Sequence, residues 1–204
     1  MLYLSGCLPA KENLRVDLLN NGIGILLTPF SQRVAPSEFV WAADNGCFAA
    51  KWDEKTWRRW LESKESPSSA LFAVVPDVVA DHVGTLHRWD QYSGFVRSLG
   101  YKPAFVLQDG ATIESIPWDS CDALFIGGTT DFKLGETARI ITAYAKTLGK
   151  WVHMGRVNSS RRIRIAVDWG CDSVDGTYLA FGPDINTPKL INMMNRATQQ
   201  LSLF

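Results

Sequence analysis

The chain has 204 residues, 46% of them hydrophobic, which suits one domain with a sizeable core. Its 21 Lys and Arg balance 21 Asp and Glu, so no global basic field announces nucleic acid and any contact with a polyanion must be local. Cys7, Cys47, Cys121 and Cys171 form no CxxC pair, which argues against a zinc knuckle and a secreted disulfide framework; with no hydrophobic leader and no apolar run near the ~20 residues of a membrane span, the expectation is a cytoplasmic protein.

Met1 to Ser5 reads as an apolar strand closed by Gly6. Leu14, Leu18 and Leu19 give residues 12–20 helical spacing, and Asn21-Gly22 stops the helix. Strands are expected at 23–27 and 39–43, the latter leading into Asp44-Asn45-Gly46-Cys47-Phe48. Asp53 suits the N-cap of a helix over 54–63, whose apolar face is Trp57, Trp60 and Leu61. A fourth strand, 70–75, ends at Pro76-Asp77, and a long helix over 81–99 is stopped by Gly100. Residues 104–107 form a fifth strand tipped by Gln108-Asp109-Gly110, and 123–126 a sixth tipped by Gly127-Gly128. A helix over 136–148 precedes a seventh strand, 151–154, tipped by Gly155-Arg156-Val157-Asn158. Ser159 or Ser160 caps a helix to Trp169, and 173–175 is the eighth strand, with Val174 facing a core. Thr187-Pro188 opens a last helix from Lys189 to about Leu201.

Eight short apolar strands, most followed by a helix, imply a parallel sheet. The expected fold is α/β: a compact (β/α)8 TIM-type barrel forming one domain over residues 1–204, small beside the ~250 residues typical of that fold. An open doubly wound sheet is the competing arrangement.

In a barrel all strand C-termini meet on one face, where reacting groups collect. The tips deliver Asp44, Asp77, Gln108, Gly127-Gly128, Met154-Gly155 and Asp175. Carboxylates, an amide and backbone N–H groups suit the edge of a planar heterocycle, with Phe48 and Met154 able to sandwich its ring. A further carboxylate can attack an anomeric carbon. The plain alternative for Asp175 is a turn cap. Asp44 and Asp77 beside one ligand would repel, so one of them should hold its proton unusually tightly. Arg156, Arg161 and Arg162, with Asn158, follow the seventh strand, where such barrels often bind phosphate. Lys51, Arg58 and Arg59 can extend that basic strip or form the wet side of a helix.

Taken in order, these tips resemble the signatures of the tRNA-guanine transglycosylase superfamily. Asp44 to Phe48, Asp77, Val106 to Gly110, Gly127-Gly128, His153 to Val157 and Val174 to Thr177 carry the likeness, over about residues 39 to 180. Asn45, Cys47 and Ala49 depart from the pattern, and the zinc-binding insertion is missing, so the chain looks most like the phage and bacterial members that act on DNA. The resemblance implies exchange of guanine in DNA for a 7-deazaguanine base, such as 7-cyano-7-deazaguanine. Asp175 would be the catalytic nucleophile. Asp44, Phe48, Asp77, Gln108, Gly127, Gly128 and Met154 would bind the base, with Asp44 also catalytic. Arg156, Asn158, Arg161 and Arg162 would hold the nucleic acid, whose target base is flipped out. No metal and no cofactor are expected. The expected partners are DNA and the free 7-deazaguanine base, with a homo-oligomer or a helper protein plausible and, for a phage-encoded chain, the host cytoplasm as location. The alternatives are a tRNA-guanine transglycosylase, a nucleoside N-glycosidase and a non-catalytic base-binding subunit.

Overall fold

The computed structural model describes residues 1–30, 36–49, 52–65 and 67–199. Lys51 of the basic strip and the expected helix end at Leu201 lie outside them. The elements in chain order are β1 (Leu2–Ser5), α1 (Glu12–Asn20), β2 (Ile23–Leu27), β3 (Trp41–Ala43), α2 (Glu54–Glu62), β4 (Ala73–Val74), α3 (His82–Ser98) and β5 (Pro103–Leu107). They continue with β6 (Ala123–Ile126), α4 (Thr130–Lys133), α5 (Glu136–Thr147), β7 (Trp151–Met154), α6 (Ser160–Asp168), β8 (Ser173–Gly176) and α7 (Pro183–Gln199).

All eight strands pair in parallel, and β8 returns to β1, with Leu2 opposite Ser173 and Ser5 opposite Gly176. The sheet is a closed barrel, so the open-sheet alternative falls. Closure removes both sheet edges and leaves each strand one face inward and one outward. Ile25, Phe105, Leu124, Val152, Met154 and Val174 face outward into a core shared with helix residues such as Leu18, Trp57 and Ile163. A smaller inner cluster, including Leu4, Leu26, Phe72, Val74 and Val106, fills the barrel itself.

Local sequence explains most helix ends. The Asp53 carboxylate accepts from Thr56 N–H at 2.8 Å, and that of Asp81 from Gly84 N–H at 3.0 Å. Trp57 is buried and meets Tyr92 and Phe95 edge-on at 5.6 Å, which docks α2 on α3. Among the expectations that change, the strands over 39–43 and 70–75 shorten to Trp41–Ala43 and Ala73–Val74. The last helix begins at Pro183, not after Pro188, because Pro183 sits in the first turn, where an N–H needs no partner. Pro188 therefore lies inside α7, and the Thr187 hydroxyl donates to the Pro183 carbonyl at 2.7 Å. The short α4 escaped notice because four residues carry no helical period; Thr129 caps it, accepting from Phe132 N–H. Among the described residues no helix is long and apolar enough to cross a membrane.

Two glycines test the packing. A Cβ on Gly155 would lie 2.7 Å from the Phe125 ring, so Gly155→Ala is expected to destabilise by about 1–3 kcal/mol in urea unfolding. Gly94, inside α3, has nothing within 4 Å, so Gly94→Ala is expected to stabilise by about 1 kcal/mol in the same assay.

Candidate active site

The barrel mouth encloses a cavity of about 470 Å³. Leu26, Val74, Val106 and Phe125 form its apolar part, and Asp44, Asp77 and Asp175 supply three carboxylates.

Asp175 follows the outward-facing Val174 on β8, so the pleat turns it inward beside Ser173. Its Oδ1 accepts from His153 Nε2 at 3.0 Å and from the Arg156 backbone N–H at 3.1 Å. His153 has no exposed surface. Its ring lies 4.6 Å from that of Phe125 and 5.3 Å from that of Phe72. Its Nδ1 is 2.8 Å from Ser173 Oγ, which lies 2.9 Å from Trp151 Nε1. Indole N–H only donates and a carboxylate only accepts, so in its neutral form the ring carries its proton on Nε2 and accepts a hydrogen bond from the Ser173 hydroxyl at Nδ1. Trp151, Ser173 and His153 thus form one chain that orients Asp175.

Both carboxylate oxygens of Asp77 are bound by side-chain amides. Its Oδ1 accepts from Asn45 Nδ2 at 2.7 Å and its Oδ2 from Gln108 Nε2 at 2.6 Å. The Gln108 Oε1 accepts from Ala80 N–H at 2.8 Å. Burial pushes the Asp77 carboxyl up, and the two amides oppose that rise. Asp44 accepts from neighbouring backbone N–H groups, including that of Asn45 at 2.8 Å. Burial first, then the charges of Asp175 and Asp77, push it up to about 7. The proton is therefore held at Asp44 chiefly by burial, and Asp175 adds more to the rise than Asp77, the neighbour expected to cause it.

The rim is built by Phe48 and Arg156. Phe48 is 63% exposed, and the Arg156 guanidinium lies 4.2 Å above its ring centre. Arg156 has a left-handed backbone, φ 60°, and its side chain donates to the Gly128 carbonyl. Arg162 Nη1 donates to the Arg156 carbonyl at 3.1 Å. Asn158 accepts from Thr177 N–H at 2.7 Å, so its amide oxygen braces the β8 turn.

Asp44, Phe48, Asp77, Gln108, Gly127, Gly128, Arg156, Asn158, Arg162 and Asp175 thus all reach one cavity. Met154 does not: it points outward into the helix layer with no exposed surface, so it cannot sandwich a ring. Arg161 is exposed on α6, away from the cavity wall. The Gly127 N–H is used by the Leu107 carbonyl at 3.0 Å and is not free for a ligand. Asp77 and Gln108 turn their hydrogen-bonding groups on each other. Arg58 pairs with Glu54 at 2.8 Å and covers the Phe95 ring, which places it in the α2–α3 packing. Sequence reasoning missed His153, Ser173 and Lys133. With Met154 expected in the site, the pleat would have sent His153 outward; the structure reverses this, and the β7–β8 register, His153 opposite Ser173, shows what it meets. Nothing in the sequence marked Lys133. Among the described residues no group of three or more His, Cys, Asp or Glu is placed to hold a metal ion.

No family model matches the chain, and no curated protein is similar to it. Solved structures are similar. One, described as native KDPGal, is 12% identical with a TM-score of 0.57, covering 100% of this chain and 95% of its own. Another, the BexX/CysO complex of Amycolatopsis orientalis, is 14% identical with a TM-score of 0.56, covering 97% of this chain and 88% of its own. What the chain shares with both is the barrel. At such identity the likeness shows the fold alone. Neither neighbour points to a tRNA-guanine transglycosylase, so that resemblance is corrected, and with it the exchange of guanine in DNA for a 7-deazaguanine. The tRNA-acting, N-glycosidase and base-binding-subunit alternatives are likewise unsupported. The physical reason is visible in the site. The matched motifs are strand tips, where any (β/α)8 barrel gathers Asp, Gln and Gly, and Met154, Gly127, Asp77 and Gln108 are committed to packing or to protein partners.

Asp44 makes stability depend on pH. A carboxyl raised from 3.8 to about 7 binds its proton more tightly folded than unfolded. Its contribution is full below about pH 4 and is lost as pH rises to about 7. Asp44→Asn mimics the neutral form, so its stability relative to the unsubstituted chain should rise across that window in urea titrations. A difference that stays flat with pH would show that Asp44 is not protonated by the fold.

Proposed function

We propose that this protein is an enzyme that moves protons on a small, polar, anionic molecule bound at the barrel mouth. The observation that carries this reading is that two carboxylates of one cavity have opposite surroundings. Asp175 Oδ1 takes two N–H donors, which fix the group as an acceptor. Asp44 is pushed up to about 7 and keeps its proton below that pH. Such a pair divides into a base and an acid. In this reading Asp175 removes a proton through Oδ2, which has no protein partner among the described residues. Asp44 delivers a proton to the oxygen where negative charge develops. Arg156 and Arg162 on the cavity wall attract the substrate's anionic group, and the apolar wall takes its carbon skeleton. The class of reaction is proton abstraction beside a carbonyl.

Amine chemistry has less support. A lysine in the cavity could form a Schiff base with a carbonyl substrate. Lys133, however, is 1% exposed, donates to the Gly155 carbonyl at 2.7 Å and does not line the cavity.

The test is exchange of carbon-bound hydrogen with D2O, followed by NMR over a panel of phosphorylated and carboxylated carbonyl compounds. At least one compound is expected to exchange faster than in buffer, with the rate falling as pH rises through about 7 and Asp44 loses its proton. Asp175→Asn and Asp44→Asn should each cost about 10²–10⁴-fold. Exchange by no compound, or exchange that survives both substitutions, would overturn the reading.

A further inference from the structure

Asp175 is held from two sides. One is the chain of Trp151, Ser173 and His153. The other passes through a single peptide unit. The Gly155 carbonyl accepts from Lys133 Nζ at 2.7 Å, and the N–H of the same peptide, on Arg156, donates to Asp175 Oδ1 at 3.1 Å. Lys133 closes α4 with 1% of its surface exposed, and no carboxylate of the described residues forms an ion pair with it. An ammonium buried without such a partner is costly, so its placement calls for a reason. The geometry supplies one. A charge against the carbonyl oxygen polarises the peptide and strengthens its N–H as a donor.

We propose that Lys133 is a positioning residue for Asp175, acting through the Gly155–Arg156 peptide to fix Oδ1 and leave Oδ2 for the substrate. This rests on the reading of Asp175 as the base. Among the described residues three charged groups face Lys133: Arg156 from the loop after β7, Arg162 from α6 and Asp175 from β8. Burial and the two arginines push Lys133 down to about 8, while Asp175 holds its proton on. The polarisation is therefore present below about pH 8 and is lost above it.

The experiment follows the Arg156 amide nitrogen by NMR in the full chain as pH crosses that value. A step near pH 8 is expected. Lys133→Met should remove the step, and Lys133→Arg should hold the signal at its low-pH position. Asp175→Asn, which keeps Lys133, should move the step to lower pH, and this variant decides the matter if Lys133→Met does not fold. An Arg156 signal that does not respond across this range, or responds equally in Lys133→Met, overturns the inference. In the exchange assay Lys133→Met should lower kcat on the order of tenfold with KM unchanged, and Lys133→Arg should restore most of it. A step in the Arg156 signal without any exchange activity would sink the acid–base reading but keep the Lys133 link. Exchange that needs Asp175, with no step, would sink the Lys133 link alone.

Discussion

Closing a parallel sheet on itself fixes the two-residue pleat of every strand at once. β8 cannot turn Val174 toward the helices without turning Ser173 and Asp175 inward, and β7 must likewise send Trp151 and His153 inward when Val152 and Met154 go out. Apolar side chains such as Phe72, Ala104 and Leu4 fill the inside of the barrel. The inward polar side chains run from Ser173, at the start of β8, through His153 to Asp175 at the mouth. Each inward polar group must find a partner or face the cavity, because a buried and unpaired one costs a few kcal/mol. That constraint produces the Trp151–Ser173–His153–Asp175 chain.

Three carboxylates share the mouth, and their partners separate their roles. Asp77 is enclosed by Asn45 and Gln108 and serves the architecture of the β3, β4 and β5 tips. Asp175 is oriented through Oδ1 from two directions. At Asp44 burial and the charges of Asp175 and Asp77 outweigh the backbone N–H bonds and push the carboxyl up to about 7. The division depends on which amide or imidazole stands next to each carboxylate, since the residue type is the same in all three. Over them, the Arg156 guanidinium on Phe48 joins the β7 and β3 tips across the opening.

The likeness to a base-exchanging family shows how a barrel can mislead. Strand tips in this fold favour Asp, Gln and Gly, because they sit where the chain turns and where polar groups can reach water. Short motifs met in strand order therefore repeat between barrels of different chemistry. Gly127-Gly128 matched a motif that offers amides to a ligand, yet the Gly127 amide belongs to the sheet. Met154 matched a ring-stacking position, yet the pleat sends it to the helices.

The sequence by itself determined the order of the elements and the parallel α/β class, with a barrel expected over an open sheet, because apolar runs, caps and glycines are local signals. The expected β6 and β7 agree with the observed residues, and Asp53 takes the N-terminal cap position as its local pattern implies. It also determined that Asp44, Asp77, Gln108 and Asp175 would gather at one end, since barrel strands all end there. Where local signals compete or are too short, it failed: Pro188 outweighed Pro183, and α4 carried no period. Only the tertiary structure decided that His153 and Ser173 orient Asp175, that Gln108 serves Asp77, and that Lys133 reaches Gly155. Those contacts join residues 20 to 31 positions apart through strand register and helix packing. Residue type records what a side chain can donate or accept, and only its neighbours in space decide which of those bonds is made.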